Sequence, residues 1–553
     1  DSGMFRVAFP HPTLPDDKQW DDVDLGGLAV HNGLLIYSDK LTKKLYLFDA
    51  NTVTIQSEAT PLGTIDLTDV GGMMFDKSGK LLALVGHELH RYTLDAINCK
   101  LTDKQIIISN GLDSPRHITT DTNGHFYISD QGDSHTVKVF TSNGKLLRSI
   151  GRPGQPASGK YDELHMNNPD GIAIDTNNHL WVMEDFRAPK RVSVWTLEGK
   201  LVDAFYGPPG YGGGGMLDPK DPSRFYLSQG AGGMEFKIDH QTGKSKLDRV
   251  YWLKSETPWF TPRWHGPQTV MHSGNHRYVT SNFSGPTSGQ SLAFISRDDA
   301  QRITPLACVG SLSSWKYIED QGWLDHFPAY NIKGDTRKQQ RQQHLFKSNS
   351  LVCWLDLNHD QTPQQNEIQI RDFSDIDQIN TFLTAHIQPD MSLLITHRNG
   401  VVQLKPRSID SDGMPQYDLA DAATLIADIN HQPTSGGGQA FTDAKGMTVF
   451  TGGPMRGYRD GQLLWQYHSR WPGLHPGHAS PAQPSYPGEL LATTRLLGPT
   501  VTPRNSDAGE IWSINSDKGV IYLLTTDGLF VDYLGAYPRD GRQWDMEEHQ
   551  RGM

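Results

Sequence analysis

Cysteine is scarce in this chain, whose 553 residues include only Cys99, Cys308 and Cys353. The three cysteines form neither a CxxC pair nor a CxxCH motif, which excludes a zinc ribbon, a covalently bound c-type haem and a disulfide scaffold. One disulfide is still open, with Cys308 and Cys353 as the better pair because they bracket an apparent insertion. The alternative is three buried thiols that act as small apolar side chains.

Positive charge is also in short supply, because 51 Lys and Arg face 63 Asp and Glu for a net charge of −12. Such a chain lacks the basic surface that neutralises nucleic-acid phosphates. It has no run of eighteen apolar residues, and no P-loop, dinucleotide fingerprint or nucleophile elbow. We therefore expect no nucleic acid and no membrane insertion, and a small-molecule, glycan or protein ligand instead.

Glycine and proline are plentiful, with 55 and 33 residues, and they separate short segments of strand-like alternation. Segments 113–151 and 167–207 repeat one unit. Each has a Pro entry, a strand, a D-x-x-[GN] turn, a second strand ending in acidic residues, a V-x-V-[FW] third strand, a G-K turn and a fourth strand. Four strands joined by tight turns make one β-propeller blade.

The same order of strands and turns recurs in weaker form along the chain. Seven further candidate units are 25–49, 70–95, 212–239, 266–283, 380–406, 435–467 and 509–535. We predict an all-β protein with a single propeller of seven to nine four-stranded blades, eight being the central expectation. The predicted division is 1–305 for six blades, 306–379 for an insertion and 380–553 for the remaining blades.

The first part of the insertion, 306–350, does not fit the blade pattern. It holds Trp315 and Trp323, followed by a basic, Gln-rich run. We predict a helical or irregular segment there. It would act either as a lid or aromatic platform for a ligand, or as a solvated loop with a small core of its own.

The opening P-x-[GH]-[IL]-[AT]-x-D, the turn and the third strand of 113–207 resemble NHL repeats. Stretches such as "MNNPDGIAID" and "WPGLHPGHASP" are similar to long secreted bacterial NHL-repeat proteins of unestablished activity. The resemblance implies a secreted, periplasmic or extracellular protein whose chain continues beyond residue 553. The start at Asp1 fits either a removed signal peptide or a trimmed fragment.

Residues 356–367 carry the ligand spacing of an EF-hand calcium loop, in which oxygen donors recur at alternate positions and a carboxylate closes the shell. The donors at positions 1, 3, 5, 7, 9 and 12 are Asp356, Asn358, Asp360, Thr362, Gln364 and Glu367. Position 6 is Gln361 instead of glycine, and a left-handed backbone there costs about 1 kcal/mol. We predict a structural Ca²⁺ site with a Kd of roughly 10⁻⁵ to 10⁻³ M; the alternative is a metal-free loop of Asx turns.

Polar side chains also gather at the predicted starts of the innermost strands, which face the propeller channel, and at the rims near them. The proposed catalytic residues are Arg116, His117, His165 and His265. The proposed substrate-binding residues are Asp170, Asp185, Arg187, Gln268 and Gln439, with Glu184 beside them on a rim. Convergent polar groups in such a mouth predict a ligand site, although channel residues can also simply hold ordered water.

Two chemistries fit these residues. Some NHL-type enzymes hold a catalytic metal with histidines from different blades, so the resemblance implies a transition metal such as zinc at His117, His265 and either His165 or His272. Propeller polysaccharide lyases instead pair a base with an arginine that neutralises a uronate. Arg116, His117 and His165 would serve that chemistry.

Alternation along a strand predicts different roles for the neighbours Arg116 and His117, because without a bulge only one of them can face the channel. We expect His117 to be the acid/base or metal group and Arg116 to pair with Asp170 of the next blade. Two functions follow. One is a secreted glycan-active lyase or hydrolase; the other is a non-catalytic propeller that binds glycan or protein partners in an extracellular assembly.

Overall fold

Antiparallel sheets of short strands follow one another along the computed structural model. It describes residues 25–53, 60–184, 189–207, 215–228, 233–251, 259, 269–281, 292–299, 303–327, 349–373, 382–397, 399–429, 438–467, 486, 488–490, 493–503, 506–516 and 520–534. The chain divides into two compact units. Unit 1 comprises Asp1–Ala157 and Asp162–Pro209, and unit 2 comprises Ser158–Tyr161 and Gly210–Met553. Within the described ranges no helix is long and apolar enough to cross a membrane.

Among its described residues, unit 1 contains four sheets of four strands, and within each sheet the strands pair antiparallel in chain order. The first two sheets are β1 (Leu25–His31), β2 (Leu34–Asp39), β3 (Lys44–Asp49), β4 (Gly63–Asp66), and β5 (Val70–Phe75), β6 (Leu81–Val85), β7 (Glu88–Asp95), β8 (Lys100–Ile108). The third and fourth are β9 (Pro115–Thr120), β10 (Phe126–Asp130), β11 (Thr136–Phe140), β12 (Leu146–Ile150), and β14 (Pro169–Ile174), β15 (His179–Glu184), β16 (Lys190–Thr196), β17 (Leu201–Gly207).

The described part of unit 2 contains five sheets, the fifth to the ninth in chain order, and the sixth sheet has six strands. The fifth and sixth sheets are β13 (Gly159–Lys160), β18 (Gly215–Leu217), β19 (Arg224–Ser228), β20 (Gly233–Asp239), β21 (Lys244–Tyr251), and β22 (Thr269–Ser273), β23 (His276–Ser281), β24 (Leu292–Asp298), β25 (Ile303–Ser311), β26 (Ser350–Leu355), β27 (Ile368–Asp372). The last three are β28 (Phe382–Ile387), β29 (Leu393–His397), β30 (Gly400–Leu404), β31 (Ala423–Ile426); β32 (Ala440–Thr442), β33 (Met447–Phe450), β34 (Met455–Arg459), β35 (Gln462–Tyr467); and β36 (Thr493–Leu496), β37 (Ile511–Ser516), β38 (Ile521–Thr525), β39 (Phe530–Leu534).

Within each unit, consecutive sheets pack face to face. In unit 1, Tyr127 and Val139 of the third sheet share a core with Leu180 and Trp195 of the fourth. In unit 1 the first strand of each sheet contacts the first strand of the next, as β5 does with β9 and β9 with β14. Stacked four-stranded meanders with adjacent first strands are the blades of a β-propeller. The predicted fold class is therefore confirmed.

The blades match the sequence units closely. Each of the nine candidate units falls on one of the nine sheets in the described ranges. This count of sheets is at the upper end of the predicted range of seven to nine blades. Strands β26 and β27, which the sequence placed in the insertion, extend the sixth sheet, and the irregular part begins only after Ser311 with a turn of 3₁₀ helix and α1 (Lys316–Asp320).

Trp315, in the first part of the predicted insertion, is a core residue. Its side chain is buried, and its ring lies 6.5 Å from that of Trp354 and 6.1 Å from that of Phe294. The indole N–H donates to the carbonyl of Trp259 at 3.2 Å. Trp315 is therefore part of a core and offers no platform to a ligand, while Trp323 packs partly buried against the same core.

The disulfide that the sequence left open between Cys308 and Cys353 is not formed, because both thiols are free and buried. In the pairing of β25 with β26, Cys308 lies opposite Trp354 and Val309 lies opposite Cys353. The two cysteines are thus one residue out of register, and their side chains project from opposite faces of the sheet. Each contributes to a different core, as expected for thiols that act as small apolar residues.

Candidate functional site

A β-bulge begins the innermost strand of every sheet in unit 1. In the pairing of β9 with β10, the step from Pro115 to Ile118 faces the shorter step from Asp130 to Ile128, so β9 carries one extra residue. The same register shift occurs in the other three sheets. The bulged pairs are Gly26 and Gly27, Gly71 and Gly72, Arg116 and His117, and Asp170 and Gly171. Only the third and fourth bulges carry ionisable side chains.

The bulge brings Arg116 and His117 to one carboxylate. Arg116 Nε and His117 Nε2 each lie 3.4 Å from Oδ1 of Asp170, which belongs to the next blade. The predicted ion pair between Arg116 and Asp170 is therefore present. The side chains of Arg116 and His117 were expected to point in different directions, but both reach Asp170, because a bulge breaks the strict alternation of side chains along a strand. His117 is 38% exposed and Asp170 is 16% exposed, so the cluster is open to a ligand.

Backbone contacts hold this cluster in place. The hydroxyl of the buried Ser129 accepts the N–H of His117 at 3.0 Å and donates to the carbonyl of Asp170 at 2.6 Å, which ties the two bulges together. From the other side, Gly72 approaches so closely that a Cβ there would lie 2.6 Å from the carbonyl oxygen of Arg116. Only glycine permits that approach.

Two of the residues that were placed near the rims, Glu184 and His165, pair with side chains other than those at Asp170. Glu184 is buried, because it lies opposite Arg191 in the β15–β16 register and binds its Nε at 2.6 Å. Its other oxygen accepts the N–H of Asn167 at 2.8 Å, so Glu184 supports the loop before β14 and does not face a rim. His165 lies 4.0 Å from the carboxylate of Asp162, which is a separate pairing from the one at Asp170.

Other predicted residues lie elsewhere. Asp185, Arg187, His265 and Gln268 are outside the described residues. Gln439 is buried at the start of the eighth sheet, where its Oε1 accepts the N–H of Leu496 at 2.8 Å.

The transition-metal prediction is not tested, because its ligand set includes His265. His272, the other candidate ligand in unit 2, binds Asp218 through its Nε2 at 2.8 Å. No three His, Cys, Asp or Glu side chains are grouped in a metal-binding arrangement within the described ranges.

The 356–367 loop connects β26 and β27 as a hairpin. Gln361 has a φ of +64°, the left-handed conformation expected at position 6, and its N–H donates to the buried carboxylate of Asp356 at 3.1 Å. The N–H groups of Asp360 and Thr362 bind the side chains two residues before them, as in Asx turns.

The carboxylate of Glu367 accepts four hydrogen bonds from this loop and from β26. Its Oε1 accepts the N–H groups of Leu357 and Asn358, at 2.9 and 3.3 Å, and its Oε2 accepts the Trp354 indole and the N–H of Gln364, at 3.0 and 3.2 Å. Four donors occupy the carboxylate that a calcium ion would need as a bidentate ligand. The hydrogen bonds are those of the metal-free alternative, and calcium binding would require Glu367 to exchange some of them.

Comparisons with known proteins give a distant relative. No family model matches the chain. The "Probable peptidyl-alpha-hydroxyglycine alpha-amidating lyase" of Caenorhabditis elegans is 23% identical over 157 residues, which cover 25% of this chain and 44% of that protein. The chain thus matches less than half the length of this relative.

Solved structures match only loosely. A protein of unknown function from Bacteroides caccae is 14% identical over 43% of this chain and 84% of its own, with a TM-score of 0.26. A gluconolactonase from Xanthomonas campestris is 15% identical over 47% and 83%, also with a TM-score of 0.26. Similarity at this level does not bear on the site.

Proposed function

We propose that the protein is a secreted propeller enzyme, a lyase or hydrolase, that acts on a glycan at Arg116, His117 and Asp170. One observation carries the proposal: a half-exposed imidazole lies 3.4 Å from a carboxylate, with a guanidinium at the same oxygen. Histidine is the side chain best suited to exchange protons near neutral pH, and a neighbouring carboxylate orients it and stabilises its charged form. The name of the distant relative supports a lyase as the reaction class.

The residues would divide the work as follows. In an elimination from a uronate, the imidazole of His117 takes the proton next to the substrate carboxylate, and the bond to the leaving oxygen breaks as a carbon–carbon double bond forms. Arg116 balances the negative charge that develops on the substrate carboxylate. His117 then returns the proton to the departing oxygen, so that no proton is lost or gained. Asp170 holds the ring in orientation through both stages.

A binding protein without catalysis is the second candidate. The observation that favours it is the Arg116–Asp170 pair, since an arginine that neutralises a carboxylate of the next blade is less able to neutralise a substrate.

The assay that decides between them offers purified protein uronate-containing and neutral polysaccharides and follows the ultraviolet absorbance of unsaturated ends together with new reducing ends. We expect turnover by the wild type, loss of turnover in His117→Ala, and normal turnover in His125→Ala. His125 is a matched control, because it is another His–Asp pair of the same blade, 2.8 Å from Asp121. Binding of a polysaccharide without any product would favour the second candidate.

We also propose that the 356–367 loop binds calcium weakly and stabilises the sixth sheet. Burial raises the pKa of the Asp356 carboxyl, and the nearby charges of Glu367 and Asp360 raise it further. A divalent cation among these three carboxylates would offset their repulsion. Asp356, Asn358, Asp360, Thr362 and Glu367 would supply the ligands.

A further inference from the structure

Unit 2 contains a cavity of about 1280 Å³. We call it the unit 2 cavity; the innermost strands of the sixth, seventh and eighth sheets contribute to its wall through Val270, His272, His386, Ile387, Phe441 and Thr442. Sites for small molecules usually have volumes of roughly 300–1,000 Å³. The unit 2 cavity therefore has room for an extended ligand of several linked units.

His386 is the most unusual residue of this wall. Its side chain is buried, with only 2% of its surface exposed, and its ring packs 4.6 Å from that of Phe441. Neither ring nitrogen has a hydrogen-bond partner in the described part of the chain. Burial lowers the pKa of the imidazole to about 3, so the ring is neutral near pH 7 and offers one donor and one acceptor.

Asp443 adds a second unsatisfied group to the same wall. Its Oδ1 accepts the N–H groups of Lys445 and Met447 at 2.8 and 2.7 Å, which fixes the turn between β32 and β33. Its Oδ2 is buried and has no partner among the described residues. Buried polar atoms in native proteins almost always have partners, because leaving them unpaired is costly. The unpaired atoms of these two residues in one cavity wall are available to hydrogen-bond with a molecule bound in the cavity.

The other side chains of the cavity wall indicate which class of molecule the cavity would bind. Neutral hydrogen-bonding side chains are abundant in the wall: Gln388, Ser392, Gln403, Gln439, Thr442, Thr448, Thr500 and Asn515. Apart from histidines, the acidic and basic side chains of the wall are four acids and two bases: Asp390, Asp443, Asp460, Glu510, Lys220 and Lys405. Excess negative charge disfavours an anionic ligand. Hydroxyl groups both donate and accept, so they satisfy a neutral imidazole and a carboxylate oxygen together.

We infer that the unit 2 cavity binds a neutral oligosaccharide, whose hydroxyl groups pair with His386 and Asp443. The unpaired atoms are buried, so a small rotation of these side chains accompanies binding. This site lies within unit 2 and does not depend on the catalytic role of His117 in unit 1. The protein would then hold a neutral glycan segment at a place other than the proposed reaction site.

The test measures thermal shifts and calorimetric binding with the full chain. The probes are hexasaccharides of β-linked glucose, α-linked glucose, mannose and xylose, with oligogalacturonate and spermine as charged contrasts. At least one neutral hexasaccharide should raise the Tm of the wild type, and His386→Phe should weaken its binding at least tenfold. His240→Phe is the matched control, because His240 lies on an exposed turn of unit 2 outside the cavity lining and should leave binding unchanged.

Several outcomes would overturn the inference. They are no shift with any neutral hexasaccharide, an undiminished shift in His386→Phe, or stabilisation by oligogalacturonate or spermine alone. If His386→Phe does not fold, Asp443→Asn takes its place and should weaken binding in the same way. His117→Ala should bind the hexasaccharide as the wild type does, so failure of the proposed catalysis and failure of this site are distinguishable.

Discussion

His117 in unit 1 and His386 in unit 2 both lie on innermost strands, yet their surroundings are opposite. His117 belongs to a bulge, is 38% exposed and lies beside a carboxylate. His386 is 2% exposed and has no hydrogen-bond partner among the described residues. The first imidazole is placed to exchange a proton, whereas the second stays neutral. Position within a blade therefore does not set the role of a histidine; partners and solvent do.

Turnover should separate the two histidines most strongly. Removing a general acid/base group typically costs about 10²–10⁴-fold in rate. We expect a loss of that size in His117→Ala and a change within roughly threefold in His386→Phe, measured with saturating uronate polysaccharide. Equal losses in both variants would contradict the separation of roles.

Removal of calcium should destabilise the protein through the carboxylates of the 356–367 loop. If calcium binds only the folded protein, stability at a hundred times Kd rises by about 2.7 kcal/mol. Chelation should then lower the Tm, and Asp360→Asn should remove most of that response. This variant is preferable to Glu367→Ala. Asparagine at 360 can still accept the N–H of Thr362, whereas alanine at 367 would leave four N–H donors without their acceptor. Melting curves that are identical with and without chelator would establish the metal-free loop.

The buried, neutral His386 should make the protein less stable at acidic pH. In the folded protein the pKa of His386 is about 3, below the ordinary value of 6.5. Between these two pH values the unfolded chain binds a proton at His386 and the folded protein does not. The stability associated with His386 is complete above pH 6.5 and declines as the pH falls towards 3. Between pH 7 and pH 5 the loss is about 2 kcal/mol. His386→Phe should show a smaller fall in Tm over this range, while an unchanged fall would show that the ring is not buried neutral.

The smallest expected effect concerns Arg116. Arg116→Ala removes the guanidinium that pairs with the partly buried carboxylate of Asp170, which should cost about 1–2 kcal/mol. His117→Ala should cost less than about 1 kcal/mol, because the guanidinium still pairs with Asp170. Chemical denaturation of both variants measures the difference. If His117→Ala unfolds the protein and Arg116→Ala leaves it intact, the roles are reversed.

The fold was predictable because its signals are local. Each blade carries its own turns and alternating strands, so each of the nine sequence units corresponds to one of the nine sheets in the described ranges. The expected pairing of Arg116 with Asp170 of the next blade is also present in the structure. The continuous apolar run of β26 was assigned to the insertion because a strand buried on both faces lacks alternation.

Two features of the sites escaped prediction for physical reasons. The bulge that unites Arg116 and His117 is a backbone property, although the Gly-Gly pairs at 26–27 and 71–72 in the same repeat position were a usable signal. His386 gave no signal at all, because its burial depends on packing against Phe441, a residue far away in the sequence.

The most direct test of the central claim, that Asp170 and His117 act together as an acid/base pair, is the pH dependence of kcat/KM in the wild type and in Asp170→Asn. Asparagine keeps the shape of the side chain but removes the charge that favours the protonated imidazole. We predict that the ionisation that limits the wild-type rate moves to lower pH in Asp170→Asn and that the maximal rate falls. An unchanged profile in Asp170→Asn would contradict the account.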